Sequence, residues 1–111
     1  MLFGKPVPSV DVQEARRMLS EKPAPILVDV RETVEHRQGV VAGSRLIPLG
    51  QLSSRLEDIP EGRKVLVICQ TGSRSQAAAQ QLAKAGRDVT NIRGGISAWV
   101  ANDLPLKRKG G

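Results

Sequence analysis

One cysteine, one histidine and two aromatic residues, Phe3 and Trp99, are all that this 111-residue chain holds of its most distinctive side chains; tyrosine is absent. A single cysteine excludes an internal disulfide, and with it any argument for an oxidising compartment. One cysteine and one histidine are too few for a metal centre of the usual kind, so neither a metal nor an organic cofactor is expected. Two aromatics leave few platforms for base stacking, which argues against nucleic acid as a partner. No apolar run approaches the roughly 20 residues of a membrane span. The start, Met1-Leu2-Phe3-Gly4-Lys5-Pro6, lacks the apolar core of a secretory leader. These absences lead to the expectation of a cytoplasmic protein that binds neither membrane nor nucleic acid.

The composition is that of a folded domain, with 40% hydrophobic and 25% charged residues. The length suits one domain with a core of its own. The formal charge of +6 comes from 17 basic and 11 acidic residues, and half of it lies in Lys107-Arg108-Lys109. The other basic residues are scattered, which gives no stripe for a phosphate backbone. The expected organisation is a domain over residues 1–106 and a basic, disordered tail over 107–111. That tail reads as solubilising, with docking to an acidic partner as the sharper alternative.

Short apolar runs alternate with helix-like stretches. Asp11 and Glu14 have the spacing of a capping box opening a helix over 12–19. Ile26-Leu27-Val28-Asp29-Val30 reads as a buried strand after Pro23 and Pro25. A short helix over 33–37, stopped at Gly39, and a strand over 45–47 follow. Leucines 49, 52 and 56 share one face of a helix over 49–56. The turn at Pro60-Glu61-Gly62 precedes a strand over 65–68. Residues 73–85, rich in Ala, Gln and Leu, predict the clearest helix, with Gly86 as its stop. A strand over 89–92 and a helix over 96–101 complete the pattern. Apolar strands alternating with helices predict an α/β fold: a central parallel sheet of about five strands with helices on both faces.

The one thiol lies in Cys69-Gln70-Thr71-Gly72-Ser73-Arg74-Ser75, between the strand over 65–68 and the helix that starts near Ser73. Ligands of such sheets bind beyond the carboxyl ends of the strands. There the loop N–H groups and the positive end of the helix favour an anion, so Cys69 should ionise more easily than a free thiol of pKa about 8.5. Gly72 permits the tight curvature. Thr71, Ser73 and Ser75 offer hydroxyls, and Arg74 a fixed positive charge. Such a thiolate is suited to nucleophilic attack, with an anion-binding cup around whatever the sulfur carries. The plainer alternative is a buried cysteine ending a strand.

This loop resembles the active-site loop of the rhodanese family of sulfurtransferases, in a form common among its single-domain members. Leu27-Val28-Asp29-Val30-Arg31-Glu32 with Glu35 is similar to the family's strand-end signature. Gly39-Val40-Val41-Ala42-Gly43-Ser44-Arg45-Leu46-Ile47-Pro48 is similar to its G-H-I-x-G-A-x-N-I-P segment. The stretch from Val89 through Gly94-Gly95 to Trp99 is similar to its V-x-x-L-x-G-G-x-x-x-W segment. Each is unspecific alone, but their order along one chain is specific. Val40 stands in place of the family's usual histidine and Ser44 in place of its alanine, both at positions structural in the family.

The resemblance implies a single rhodanese-like domain in which Cys69 takes a sulfur atom from a small anionic donor such as thiosulfate. The resulting persulfide would be held by the N–H groups of residues 69–74 and passed to cyanide, a thiol or a partner protein. Gln70, Thr71, Gly72, Ser73 and Arg74 are thus the implied loop, and Asp29, Arg31 and Ser75 supporting residues. One rival is a relay module that carries persulfide to a dedicated protein with little thiosulfate turnover. Another is a cysteine phosphatase or arsenate-type reductase; the absence of a second cysteine argues against a self-resolving reductase. Arg74 reads as an anion contact, and Asp29 with Arg31 as a strand-end ion pair. His36 reads as a surface residue, Trp99 as a core plug, and Gly94-Gly95 as the turn into the last helix.

Overall fold

The four segments read as strands from the sequence join one parallel sheet, and Ser9–Val10 adds a fifth strand. The computed structural model describes residues 6–108. The order along the chain is β1 (Ser9–Val10), α1 (Val12–Leu19), β2 (Ile26–Asp29), α2 (Thr33–His36), β3 (Arg45–Leu46), β4 (Lys64–Ile68), α3 (Ser73–Lys84), β5 (Asp88–Ile92) and α4 (Gly95–Ala101). In space the sheet runs β1-β5-β4-β2-β3, every pair parallel. The chain moves outward from β2 to β3, then returns to the other side of β2 for β4 and β5. That reversal is where an open α/β sheet leaves a crevice at its carboxyl edge. Asp29, Ile68 and Ile92 all end their strands there.

Strand alternation sorts the apolar side chains into two cores. Val28, Val65 and Val67 face Ala78, Ala79 and Leu82 of α3. Leu27, Leu66 and Ile68 face α1 and α4, where Trp99 is buried as the core plug read from the sequence. Its indole N–H donates to the Pro105 carbonyl at 2.8 Å. α1 starts as expected at Asp11, whose side chain accepts the Glu14 N–H at 2.8 Å. The Glu14 carboxylate, however, turns to Arg17 rather than closing a reciprocal box.

Four local expectations change. The edge strand β1 has no apolar run of its own. Its register comes from long-range pairing, with the Asn91 N–H donating to Pro8 and the Arg93 N–H to Val10. Residues 49–58 form two 3₁₀ segments, Leu49–Ser54 and Leu56–Asp58, instead of an α-helix. Gly50, Ser53 and Ser54 are weak helix formers, while Leu52 still reaches the core. His36 is 3% exposed and Val34 63% exposed. The surface reading of His36 is therefore corrected: α2 has one turn, too short for polarity to reveal which face is inward.

At the expected start of the tail, residue 107 is paired by the fold. Leu106 packs against the second core. Lys107 pairs antiparallel with Val40, the two N–H···O bonds measuring 2.8 and 2.7 Å. Lys109, and the stretch before Pro6 read for a leader, lie outside the described residues.

Candidate active site

Cys69 follows β4 directly, and its side chain falls on the α3 face with Val65 and Val67, 1% exposed. Two backbone bonds from α4 orient the loop. The Ile96 N–H donates to the Cys69 carbonyl at 2.9 Å and the Ser97 N–H to the Gln70 carbonyl at 3.0 Å. These first amides of α4 would otherwise lack helical partners. With both carbonyls drawn outward, the amides that follow turn inward. Gly72, at φ +106°, donates its N–H to Cys69 Sγ at 3.0 Å. The N–H groups of Thr71 and Ser75 also point to the sulfur, and the Ser75 hydroxyl lies 3.3 Å from it.

The electrostatics follow from that geometry. Burial is the largest single influence and pushes the Cys69 thiol up. The Ser75 hydroxyl and the N–H groups of Ser75, Gly72 and Thr71 together outweigh it, so the pKa falls below the ordinary thiol value. The Ser75 hydroxyl has one proton and two acceptors in range, Sγ at 3.3 Å and the Gly72 carbonyl at 3.1 Å. A thiolate is the stronger acceptor and draws that proton; a neutral thiol releases it to the carbonyl.

The site residues read from the sequence divide by role in space. Among the loop hydroxyls, only that of Ser75 bonds the sulfur; Thr71 and Ser73 are exposed. Asp29 and Arg31 form the strand-end ion pair, fully buried, at 2.8 Å. The Arg31 guanidinium also donates to the carbonyls of Glu35 and Gly39 and, at 3.4 Å, to Gln70 Oε1. Gln70 in turn donates to Ser97 Oγ at 3.2 Å. Arg74 does not extend over the sulfur with its arms open. Both arms bind Glu35, Nη1 to Oε1 and Nη2 to Oε2, each at 2.7 Å. This pairing pulls the Glu35 carboxyl down to about 2 and raises Arg74.

Three participants are absent from the sequence reading. Ile96 and Ser97 grip the loop, and the buried Asn91 places its Nδ2 3.4 Å from the Gly72 carbonyl and 3.0 Å from Gln76 Oε1. The available signal was Gly94-Gly95. A Cβ on Gly95, at φ +60°, would collide with the carbonyl oxygen of Cys69. Only glycine lets α4 approach so near.

The chemistry within reach is that of a shielded, donor-rich thiolate at a helix N-terminus. A family model for the rhodanese-like domain matches residues 11–102. The chain belongs to the rhodanese-like family. A sulfurtransferase from Allochromatium vinosum is 33% identical over 101 residues, covering 90% of this chain and 94% of that protein. A rhodanese-like domain protein from Staphylococcus aureus matches with a TM-score of 0.85 at 28% identity, over 94% of this chain and 100% of that one. CoADR-RHD from Bacillus anthracis matches with a TM-score of 0.82 at 34% identity. There the rhodanese-like chain covers only 18% of the larger polypeptide, against 91% of its own length. At the level of the family, the protein is a rhodanese-type sulfurtransferase. Among the described residues, no helix is long and apolar enough to cross a membrane.

Proposed function

We propose that Cys69 is the nucleophile and carries the transferred sulfur as a persulfide. The observation that supports this most is the ring of donors around Sγ: three backbone N–H groups and the Ser75 hydroxyl, enough to bring the thiol pKa below its usual value despite burial. In the first step the Cys69 thiolate attacks the outer sulfur of thiosulfate. The S–S bond of the donor breaks and sulfite departs with the electron pair. In the second step an acceptor, cyanide or a thiolate, attacks the terminal sulfur. The S–S bond to Cys69 breaks, its electron pair restores the thiolate, and thiocyanate or a new persulfide leaves. The inward N–H groups stabilise negative charge on Sγ in the free state and on the terminal sulfur in the loaded state. Gln70, Thr71, Gly72, Ser73 and Arg74 form the binding loop. Asp29, Arg31 and Ser75 hold it in place. A reducing compartment such as the cytoplasm fits a protein whose one cysteine must stay a thiol.

A persulfide relay that serves a partner protein is the second reading. It is favoured by the Arg74–Glu35 pairing, which occupies the loop cation suited to a small anionic donor. Intact mass after incubation with thiosulfate tests the main reading. The expected result is a gain of one sulfur atom that cyanide removes as thiocyanate. Cys69→Ser, nearly isosteric at a buried position, should keep the fold and lose both the mass gain and thiocyanate formation. Thiocyanate turnover by the serine variant would overturn the assignment.

A further inference from the structure

Two arginines, Arg31 and Arg74, stand near the cysteine loop, and each is matched by a carboxylate. Arg31 is paired with Asp29 in the interior. Arg74 is paired with Glu35 at the rim, where the two side chains are 35% and 28% exposed. Glu35 is no loosely tethered surface partner. Its Oε1 also accepts the Glu32 N–H at 3.0 Å, as part of the box that opens α2. α2 therefore fixes the carboxylate independently of the arginine. The guanidinium, at the second position of α3, presents a bidentate fork to it. What remains for an incoming donor beside the sulfur is the dipoles of the loop and helix, because the loop's own cation is engaged by Glu35. The nucleophile itself is negative.

We propose that Glu35 determines the charge class of sulfur donor: by neutralising Arg74 it makes the cup select monoanionic sulfane donors, such as alkyl persulfides and alkanethiosulfonates, over the thiosulfate dianion. The proposal rests on the reading of Cys69 as the sulfur acceptor. A dianion approaching a thiolate needs an open cation to offset the repulsion, and here that cation is already engaged. A monoanion meets less repulsion, and the N–H groups suffice. With either donor the thiolate takes the outer sulfur, and the leaving group departs with the electron pair of the broken S–S bond.

Thiosulfate and methanethiosulfonate test this directly, because they are of similar shape and differ by one charge. Rates of Cys69 persulfide formation would be measured for both donors in the unmodified protein, Glu35→Gln, Arg74→Ala and the double variant. The unmodified protein should show a KM for thiosulfate about ten-fold or more above that for methanethiosulfonate. Glu35→Gln should lower the thiosulfate KM about ten-fold, the worth of a freed charge-assisted contact, and change the monoanion's KM far less. Arg74→Ala should raise the thiosulfate KM, since it leaves the Glu35 carboxylate bare. The double variant should lose the gain. Equal KM values in the unmodified protein, or equal shifts for both donors in Glu35→Gln, would overturn the proposal; a fall in melting temperature with no change in donor preference would do the same. A Cys69 that takes sulfur from neither donor in any variant would instead overturn the sulfur-transfer reading on which this rests.

Discussion

The Ile96 N–H holds the Cys69 carbonyl at 2.9 Å, so the first turn of α4 reaches under the residue proposed to carry out the chemistry. Gly95 is what lets it come so near, since a side chain there would strike that same carbonyl oxygen. The loop is thus shaped from two sides: by α3, which it opens, and by α4, which grips its carbonyls. Several expected outcomes follow from contacts of this kind.

Gly95→Ala should displace the loop as well as strain the backbone. Its φ of +60° costs a non-glycine residue about 1–3 kcal/mol. The collision adds loss of the inward amides, so thiol alkylation at neutral pH should slow. Gly86→Ala is the control, because Gly86 has φ +84° and open space around its Cβ position. It should lower the melting temperature while leaving thiol reactivity unchanged. Matching alkylation rates in the two variants would show that Gly95 matters to stability alone.

Ser75→Ala removes the one hydroxyl that touches the sulfur. The Cys69 pKa lies below the usual value because donors outweigh burial, so deleting a donor moves it up. A hydrogen bond to a charged group is worth about 1.5–3 kcal/mol, so alkylation near pH 6 should fall about ten-fold or more. The difference should close at alkaline pH, where both thiols are ionised. A uniform loss at all pH values would point to misplaced sulfur instead of altered ionisation.

Deletion of residues 107–111 should cost stability but not chemistry. It removes both backbone bonds between Lys107 and Val40, together worth about 1–3 kcal/mol. A melting temperature lower by several degrees is expected, with turnover of small donors intact. Deletion of 109–111 alone should leave the melting temperature unchanged. Equal melting of the two truncated proteins would mean that the Val40–Lys107 bridge contributes nothing.

Aryl phosphate hydrolysis dependent on Cys69 should be absent. Four residues separate Cys69 from Arg74. The cup turns the N–H groups of Thr71, Gly72 and Ser75 to the sulfur, and both arms of Arg74 are held by Glu35. A phosphoryl group brings several oxygens that all need donors, and such a cup suits a single terminal sulfur better. Insertion of one glycine beside Gly72 would enlarge it, and a gain of phosphatase activity would identify pocket size as the cause. Phosphate turnover by the unmodified protein at rates comparable to sulfur transfer would contradict this account.

Much of the architecture was legible because it rests on local pattern. Apolar runs identify β2 and β4, an alanine-rich stretch ended by Gly86 identifies α3, and the residues between β4 and α3 form the candidate site. The cysteine's company of glycine and hydroxyl residues points to ionisation, since donors close in sequence stay close in space. The features that escaped are those decided by partners far along the chain. β1 exists only through its pairing with β5, and Lys107 is ordered through Val40. His36 is inward because a single-turn helix follows its packing, not its polarity. Arg74 looked like an open cation because Glu35, its counter-charge, lies 39 residues earlier. By itself the sequence determined four of the five strands, the helix behind the cysteine and a lone thiol at the end of β4. Tertiary structure alone decided which charges cancel at the rim and which amides face the sulfur, because both depend on α2 and α4 arriving at the same edge of the sheet from opposite ends of the chain.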